Sequence, residues 1–327
     1  MRGGKLQKTG GAGVLDPSPA PGGSGGRGEG EVGLLAIWRN LMRKGAVMTG
    51  RPEASAPPTP ASAPAPPGHT PGQRAASLER TLDDHVQRFG SDDPRSIAAR
   101  NNLASKYAQI GRRAAAIAQF ELALQDAIQV FGEDHPQTDV IRENLAWCYG
   151  DASRPADAAA QWEALLRSRT ERLGPVAHDT VEARTRLASA LRRSGEYEAS
   201  VAHYQRAIED AADPVEREKL RVGLSTALNA AGRYEESIRN LRLVLAQRSR
   251  RLGPRHHDTL VIHHRLGRVY AQAGMHAEAI DALRDAYRHG LAAVGDPEIR
   301  MLTFKMRRDL AGAFSAAGRH REAASLF

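Results

Sequence analysis

RNNLASKYAQIGRRAAAIAQF, residues 100–120, holds the pattern on which the fold turns. Leu103 is followed by a small residue, Ala104, and a glycine, Gly111, stands eight positions after the leucine. The same arrangement recurs at Leu145, Leu187, Leu224, Leu266 and Leu310, at spacings of 42, 42, 37, 42 and 44 residues. The small residues are Ala146, Ala188, Ser225, Gly267 and Ala311, and the glycines are Gly195, Gly232, Gly274 and Gly318, with Ser153 in the second copy. Such fixed-period self-similarity marks a repeat architecture, in which each copy is one supersecondary unit.

Further columns share the register. A bulky apolar residue lies four after each leucine: Tyr107, Tyr149, Leu191, Leu228, Tyr270 and Phe314. A small one lies thirteen after it, from Ala116 to Ala323, and a large one seventeen after it: Phe120, Trp162, Tyr204, Leu241, Leu283 and Phe327. Large and small residues at helical spacing form a seam between antiparallel helices, the small ones letting the backbones approach and the bulky ones filling the gap. The glycine ends the first helix in a left-handed conformation that costs glycine little. All seven prolines after residue 72 fall between helices: Pro94, Pro136, Pro175, Pro214, Pro254 and Pro297 between units and Pro155 within one. Proline in a first helical turn loses no hydrogen bond.

Outside the repeat the composition changes. Residues 1–72 hold 16 of the 31 glycines and 11 of the 18 prolines, too little apolar surface to offset the entropy of ordering. We read 1–72 as a disordered Gly/Pro/Ala-rich leader, with a short basic amphipathic helix over 31–44 that presents Leu34, Ile37, Trp38 and Leu41 on one face. Residues 73–327 form the repeat array, with units near 91–132, 133–174, 175–211, 212–253, 254–295 and 296–327, the last one truncated, behind a half-unit at 74–89. Met48 is an alternative start that would leave residues 1–47 untranslated.

One cysteine, Cys148, excludes a disulfide scaffold and a cysteine-based zinc site. No apolar run approaches the roughly 20 residues that span a bilayer, and no signal peptide is visible, so a soluble cytoplasmic protein is expected. The net charge of +8 divides equally between leader and array, which is weak for nucleic-acid binding. Gly28-x-Gly30-x-x-Gly33 and Gly22-x-Ser24-x-Gly26 imitate dinucleotide and nucleophile motifs, but neither has the strand-to-helix context that its chemistry needs. No catalytic residues, no metal and no cofactors are expected. His256, His257, His263 and His264 cluster, yet His135 and His178 hold related joint positions in other units, so the first two are products of the repeat. Cys148, beside Trp147 and Tyr149 in mid-helix, reads as a packed thiol.

These columns resemble the tetratricopeptide repeat, a helix–turn–helix unit that stacks into a right-handed superhelix. The fold expected is all-α, a right-handed α-solenoid of antiparallel hairpins. The usual period of that family is about 34 residues. Here the second helices extend into joints such as Gly132-Glu133-Asp134-His135-Pro136, and Asn-Leu-Ala stands in two first helices, at Asn102–Ala104 and Asn144–Ala146. Both traits resemble the long-helix subtype of kinesin light chains.

The resemblance implies a non-catalytic interaction module or scaffold whose first helices line a groove that takes an extended or helical peptide. Positions one, two and five before the repeat leucine and two, five and six after it should face that groove. In the first two units they supply Glu143 and Asp151, with Asn101, Asn102 and Asn144 as polar neutrals. In the last four they supply Arg186, Arg192, Arg193, Lys219, Arg265, Arg268, Lys305 and Arg308 against Glu182 and Asp309, about +6 against −2 in the earlier part. An acidic peptide partner is expected, with Asn102 and Asn144 on its backbone by resemblance and Arg186, Arg193, Arg265 and Arg268 among the residues on its carboxylates. A sensor segment of a larger signalling or NTPase-type protein and a nucleic-acid-associated protein remain as alternatives. Ala323 and Phe327 have no capping helix after them, so the expectation is either a fragment of a longer protein or an edge covered by a partner or by self-association with a second copy.

Overall fold

The computed structural model describes residues 70–327. The leader, with its helix over 31–44, lies outside the described residues. Among the described residues there are thirteen helices and no strand. Helix α1 (Pro71–Phe89) precedes six hairpins. These are α2 (Pro94–Gln109) with α3 (Arg113–Phe131), α4 (Pro136–Asp151) with α5 (Pro155–Leu173), α6 (His178–Ser194) with α7 (Tyr197–Asp210), α8 (Pro214–Ala230) with α9 (Tyr234–Leu252), α10 (His257–Gln272) with α11 (His276–Leu291), and α12 (Pro297–Ala316) with α13 (His320–Ala324). The array is an all-α solenoid of antiparallel hairpins, in which each helix packs on its neighbours in sequence.

Local chemistry sets the boundaries. Asp93, Asp213 and Asp296 cap their helices and proline follows each at the first helical position. His135 and His256 are caps as well, each accepting through Nδ1 from the backbone N–H two residues on, at 3.2 and 3.1 Å. That is why histidine recurs in the joints. Helix α1 begins at Pro71, inside the segment read from composition as leader. Thr70 and Gln73 form a reciprocal capping box, with Thr70 N donating to Gln73 Oε1 at 2.7 Å and Gln73 N to Thr70 Oγ1 at 3.3 Å. The short spacing between Leu187 and Leu224 is absorbed at the end of α7, 14 residues long against 19 in α3, α5 and α9. Where the glycine column fails, Ser153 takes φ 60°, the one non-glycine residue with positive φ among the described residues.

Arg95 donates to Asp93 from Nε at 2.8 Å and Nη2 at 2.9 Å, and from its backbone N–H at 2.9 Å. Those side-chain bonds, then the backbone bond, hold the Asp93 carboxyl at about 2. A depressed carboxyl stabilises the native state above its ordinary value of about 3.9 and loses that contribution as pH falls through its folded value. An NMR titration should therefore find Asp93 ionised down to about pH 2, the cap weakening only between about 4 and 2.

The seam columns form the core. Ala104, Ala116, Ala123 and Phe120 are buried in one cluster that runs from α1 to α6. Val181, Tyr204, Leu224 and Leu228 form a second, and Ile238, Leu241, Leu266, Leu283 and Phe314 a third. A second set of columns is polar and alternates. In the first and third units an arginine three before the leucine pairs with an aspartate 23 after it: Arg100 with Asp126 at 2.8 Å, and Arg184 with Asp210. His263 and His289 hold those positions in the fifth, their ring centres 6.4 Å apart. In the second and fourth units the residue six before the leucine is a buried acid, Asp139 or Glu218, and arginines stand 24 and 27 after it. Arg172 pairs with Asp139, while Arg248 and Arg251 meet Glu218 at 2.5 and 3.1 Å. Arg169 and Arg248 also donate to the next unit's Asp179 and Asp258 carbonyls, at 3.2 and 3.1 Å. In units one, three and five the position 24 after the leucine is small instead: Ala127, Ala211 and Gly290.

Candidate functional site

Among helices two apart, the strongest contacts all join first helices: α2 with α4, α6 with α8, and α10 with α12. First helices thus stand side by side and share one face. The positions singled out in the sequence divide on it. Asn102 is exposed, but Asn101 is fully buried, its Oδ1 accepting from Asn144 Nδ2 at 3.1 Å. The position two before the leucine points at the neighbouring first helix, so Asn101 ties α2 to α4 rather than facing an open groove. Asn144 is half-buried and engaged in that tie.

Glu143 pairs with Arg169 of α5 at 2.5 Å, so its charge is largely spent within the second hairpin. Beside it lies an aromatic platform that the sequence reading passed over. Trp147 on α4 is 40% exposed, meets Trp162 edge-on at 5.7 Å, and carries the Arg186 guanidinium 4.4 Å above its ring. Arg186 also pairs with Glu182 at 3.2 Å, and Arg193 donates to the Gly150 carbonyl at 2.6 Å. At the other end Asp309 gathers the His264 ring and two arginines: His264 Nε2 at 2.8 Å, Arg308 Nε at 3.4 Å and Arg268 Nε at 3.7 Å. His264 is buried, and burial lowers its pKa.

Between these stretches lies a cavity of 390 Å³ over α8, flanked by α6 and α10. Arg192 of α6 and Arg265 and Arg268 of α10 line it from the two flanks, with Ser225, Thr226 and Asn229 of α8 between them and Tyr204 also in the lining. Among the described residues no carboxylate is in ion-pair range of Arg192 or Arg265. Burial depresses the Arg265 pKa, helped by the like charges of Arg248, Arg268 and Arg192. Gly223 is part of the cavity's lining, packed against the Tyr204 ring. A Cβ there would stand 2.5 Å from Cε1 of the Tyr204 ring. Other units place Asn102, Asn144, Arg186, Arg265 or Asp309 at that position, one before the leucine, and this break in the column was the available sequence signal.

Elsewhere the chemistry is quiet. Cys148 is buried, and burial followed by the Asp151 charge pushes its thiol up to about 11. Among the described residues no group of three or more His, Cys, Asp or Glu is placed to hold a metal ion. Among them, too, no helix is long and apolar enough to cross a membrane. At α13 Ala323 is buried, whereas Phe327 is exposed with the Arg307 guanidinium 5.1 Å from its ring.

The chain matches the tetratricopeptide repeat at residues 95–162, 180–212 and 216–289, together more than half of its length. A crystal structure of nearly identical TPR-like repeats of a putative kinesin light chain from Podosopora anserina is 21% identical, with a TM-score of 0.53 over 59% of this chain and 94% of that one. The crystal structure of BtubC (BKLC) from P. vanneervenii is 20% identical, with a TM-score of 0.51 over 70% and 94%. No curated protein matches the sequence. At such identities the likeness is one of fold, and its kinesin-light-chain character agrees with the 42-residue period. The chain belongs to the tetratricopeptide repeat family.

Proposed function

We propose that the protein is a non-catalytic interaction module whose first-helix face holds an extended, acidic segment of a partner protein. One observation carries this reading: Arg192 and Arg265 stand on that face without carboxylate partners, downstream of the Trp147–Arg186 platform. Unpaired guanidiniums beside a shallow aromatic surface suit a chain that brings its own carboxylates and flat apolar side chains. Asn102 and the rims around Arg186 and Arg193 extend the same track, and Arg268 has only a distant hold on Asp309.

Partly exposed charge pairs contribute about 0.2–1 kcal/mol each, so binding should be micromolar and sensitive to salt. The probe is a fluorescein-labelled degenerate peptide rich in Glu and Asp, read by polarisation. Changing Arg186 and Arg265 together to glutamate should weaken its binding by about tenfold or more, and raising the salt to about 0.5 M should do the same. Binding that ignores both would overturn the reading.

A further inference from the structure

We infer that the cavity over α8 is a seat for a phosphate monoester on the bound segment, a phosphoserine or phosphothreonine side chain held by Arg192, Arg265 and Arg268. This rests on the peptide-binding reading above and narrows it to one site and one ligand chemistry.

Charge is the first argument. Three guanidiniums line one cavity, and two of them, Arg192 and Arg265, have no carboxylate in ion-pair range. A single carboxylate brings one charge and two oxygens. A phosphate monoester brings close to two charges at neutral pH and three acceptor oxygens, one for each arginine, with scope for bidentate bonds.

The α8 part of the lining supplies the second argument. Ser225 and Thr226 already donate their hydroxyl protons to the Arg221 and Val222 carbonyls, at 2.8 and 3.0 Å. Only their lone pairs remain available. The Asn229 Oδ1 is buried with no hydrogen-bond partner. This part of the lining therefore asks for donors, as the arginines flanking it ask for acceptors. A bare anion satisfies the arginines and leaves Asn229 unmatched. A phosphorylated peptide satisfies both, its oxygens on the guanidiniums and a backbone N–H on Asn229. The same demand disfavours a DNA backbone, whose phosphates and deoxyriboses carry no hydrogen-bond donor. Gly223 gives the third argument. It is the one residue in its column without a side chain, so nothing projects from that position into the cavity, and the Tyr204 ring packs where a Cβ would stand.

The test uses the whole chain and three fluorescein-labelled degenerate peptides that differ only at the central position: phosphoserine, glutamate or serine. The phosphoserine peptide should bind at least about tenfold more tightly than the other two. Arg265→Ala and Arg192→Ala, on different helices, should each remove about tenfold, and circular dichroism should show both variants folded. Phenyl phosphate should compete only weakly. Equal binding of the phosphoserine and glutamate peptides would overturn the phosphate seat and leave the acidic-peptide reading standing. Loss of all three would overturn both. Phenyl phosphate competing as well as the peptide would transfer the site to a small phosphorylated ligand and overturn the peptide half. Displacement of the phosphopeptide by oligothymidylate at equal concentration would favour nucleic acid and overturn the inference as well.

Discussion

Replacing Glu218 by alanine is expected to destabilise the fourth hairpin by about 3–5 kcal/mol. The carboxylate is almost fully buried and accepts from Arg248 Nε at 2.5 Å and from Arg251 Nη2 at 3.1 Å on both oxygens. Arg248 is itself largely buried, so removing the acid strands a desolvated cation that keeps only the Asp258 carbonyl. The cost arises from that orphaned charge more than from the lost attraction. Glu218→Leu combined with Arg248→Met, which removes both charges and keeps the volume, should recover most of the loss. Hydrogen exchange suits the measurement better than a single denaturation curve, because repeat arrays need not unfold in one step. Protection should fall first in α8–α10. If Glu218→Ala and the double variant lose the same amount, the orphaned-charge account is wrong.

Phe120→Ala should cost about as much, roughly 3–5 kcal/mol, through lost burial and the cavity left behind. Phe120, on α3, is 2% exposed in the buried cluster that it shares with Leu103 and Ala104 of α2 and Ala116 and Ala123 of its own helix. It belongs to the cluster that ends at α6, while Leu283 and its neighbours lie in a separate one. The loss should therefore appear as faster exchange in α2–α5 with α10–α12 little changed. Uniform loss of protection along the array would show that the clusters are energetically continuous.

The hairpins were legible because two helices can pack closely only with a strict large–small pattern, and that pattern survives in six copies. Ala104 against Phe120 is as readable in the sequence as in space. Capping was partly legible. Asp93–Pro94 announces a helix start, but Thr70–Pro71–Gln73 was lost in a proline-rich background, and His135 and His256 were legible as joint residues of the repeat without their capping role. The candidate site was less readable. Offsets from the repeat leucine identify a face, yet neighbouring first helices claim part of it. Asn101 proved to be buried for that reason. Charge also cannot be summed along a helix face, since Glu143 is spent on Arg169 of another helix. What a column shows well is its exceptions. Gly223, an absence of side chain, marks the cavity more clearly than any of the arginines around it.

The alternation of polar columns has a consequence for how such a chain can be rebuilt. Two kinds of joint follow each other: a small residue closes the odd hairpins onto their successors, and an arginine reaching a carbonyl closes the even ones. A lone hairpin moved one place would meet the wrong kind at both ends. The smallest piece that can be duplicated, deleted or transplanted with matching ends is two hairpins, so lengthening or shortening this solenoid should succeed in steps of about 80 residues and fail in steps of half that.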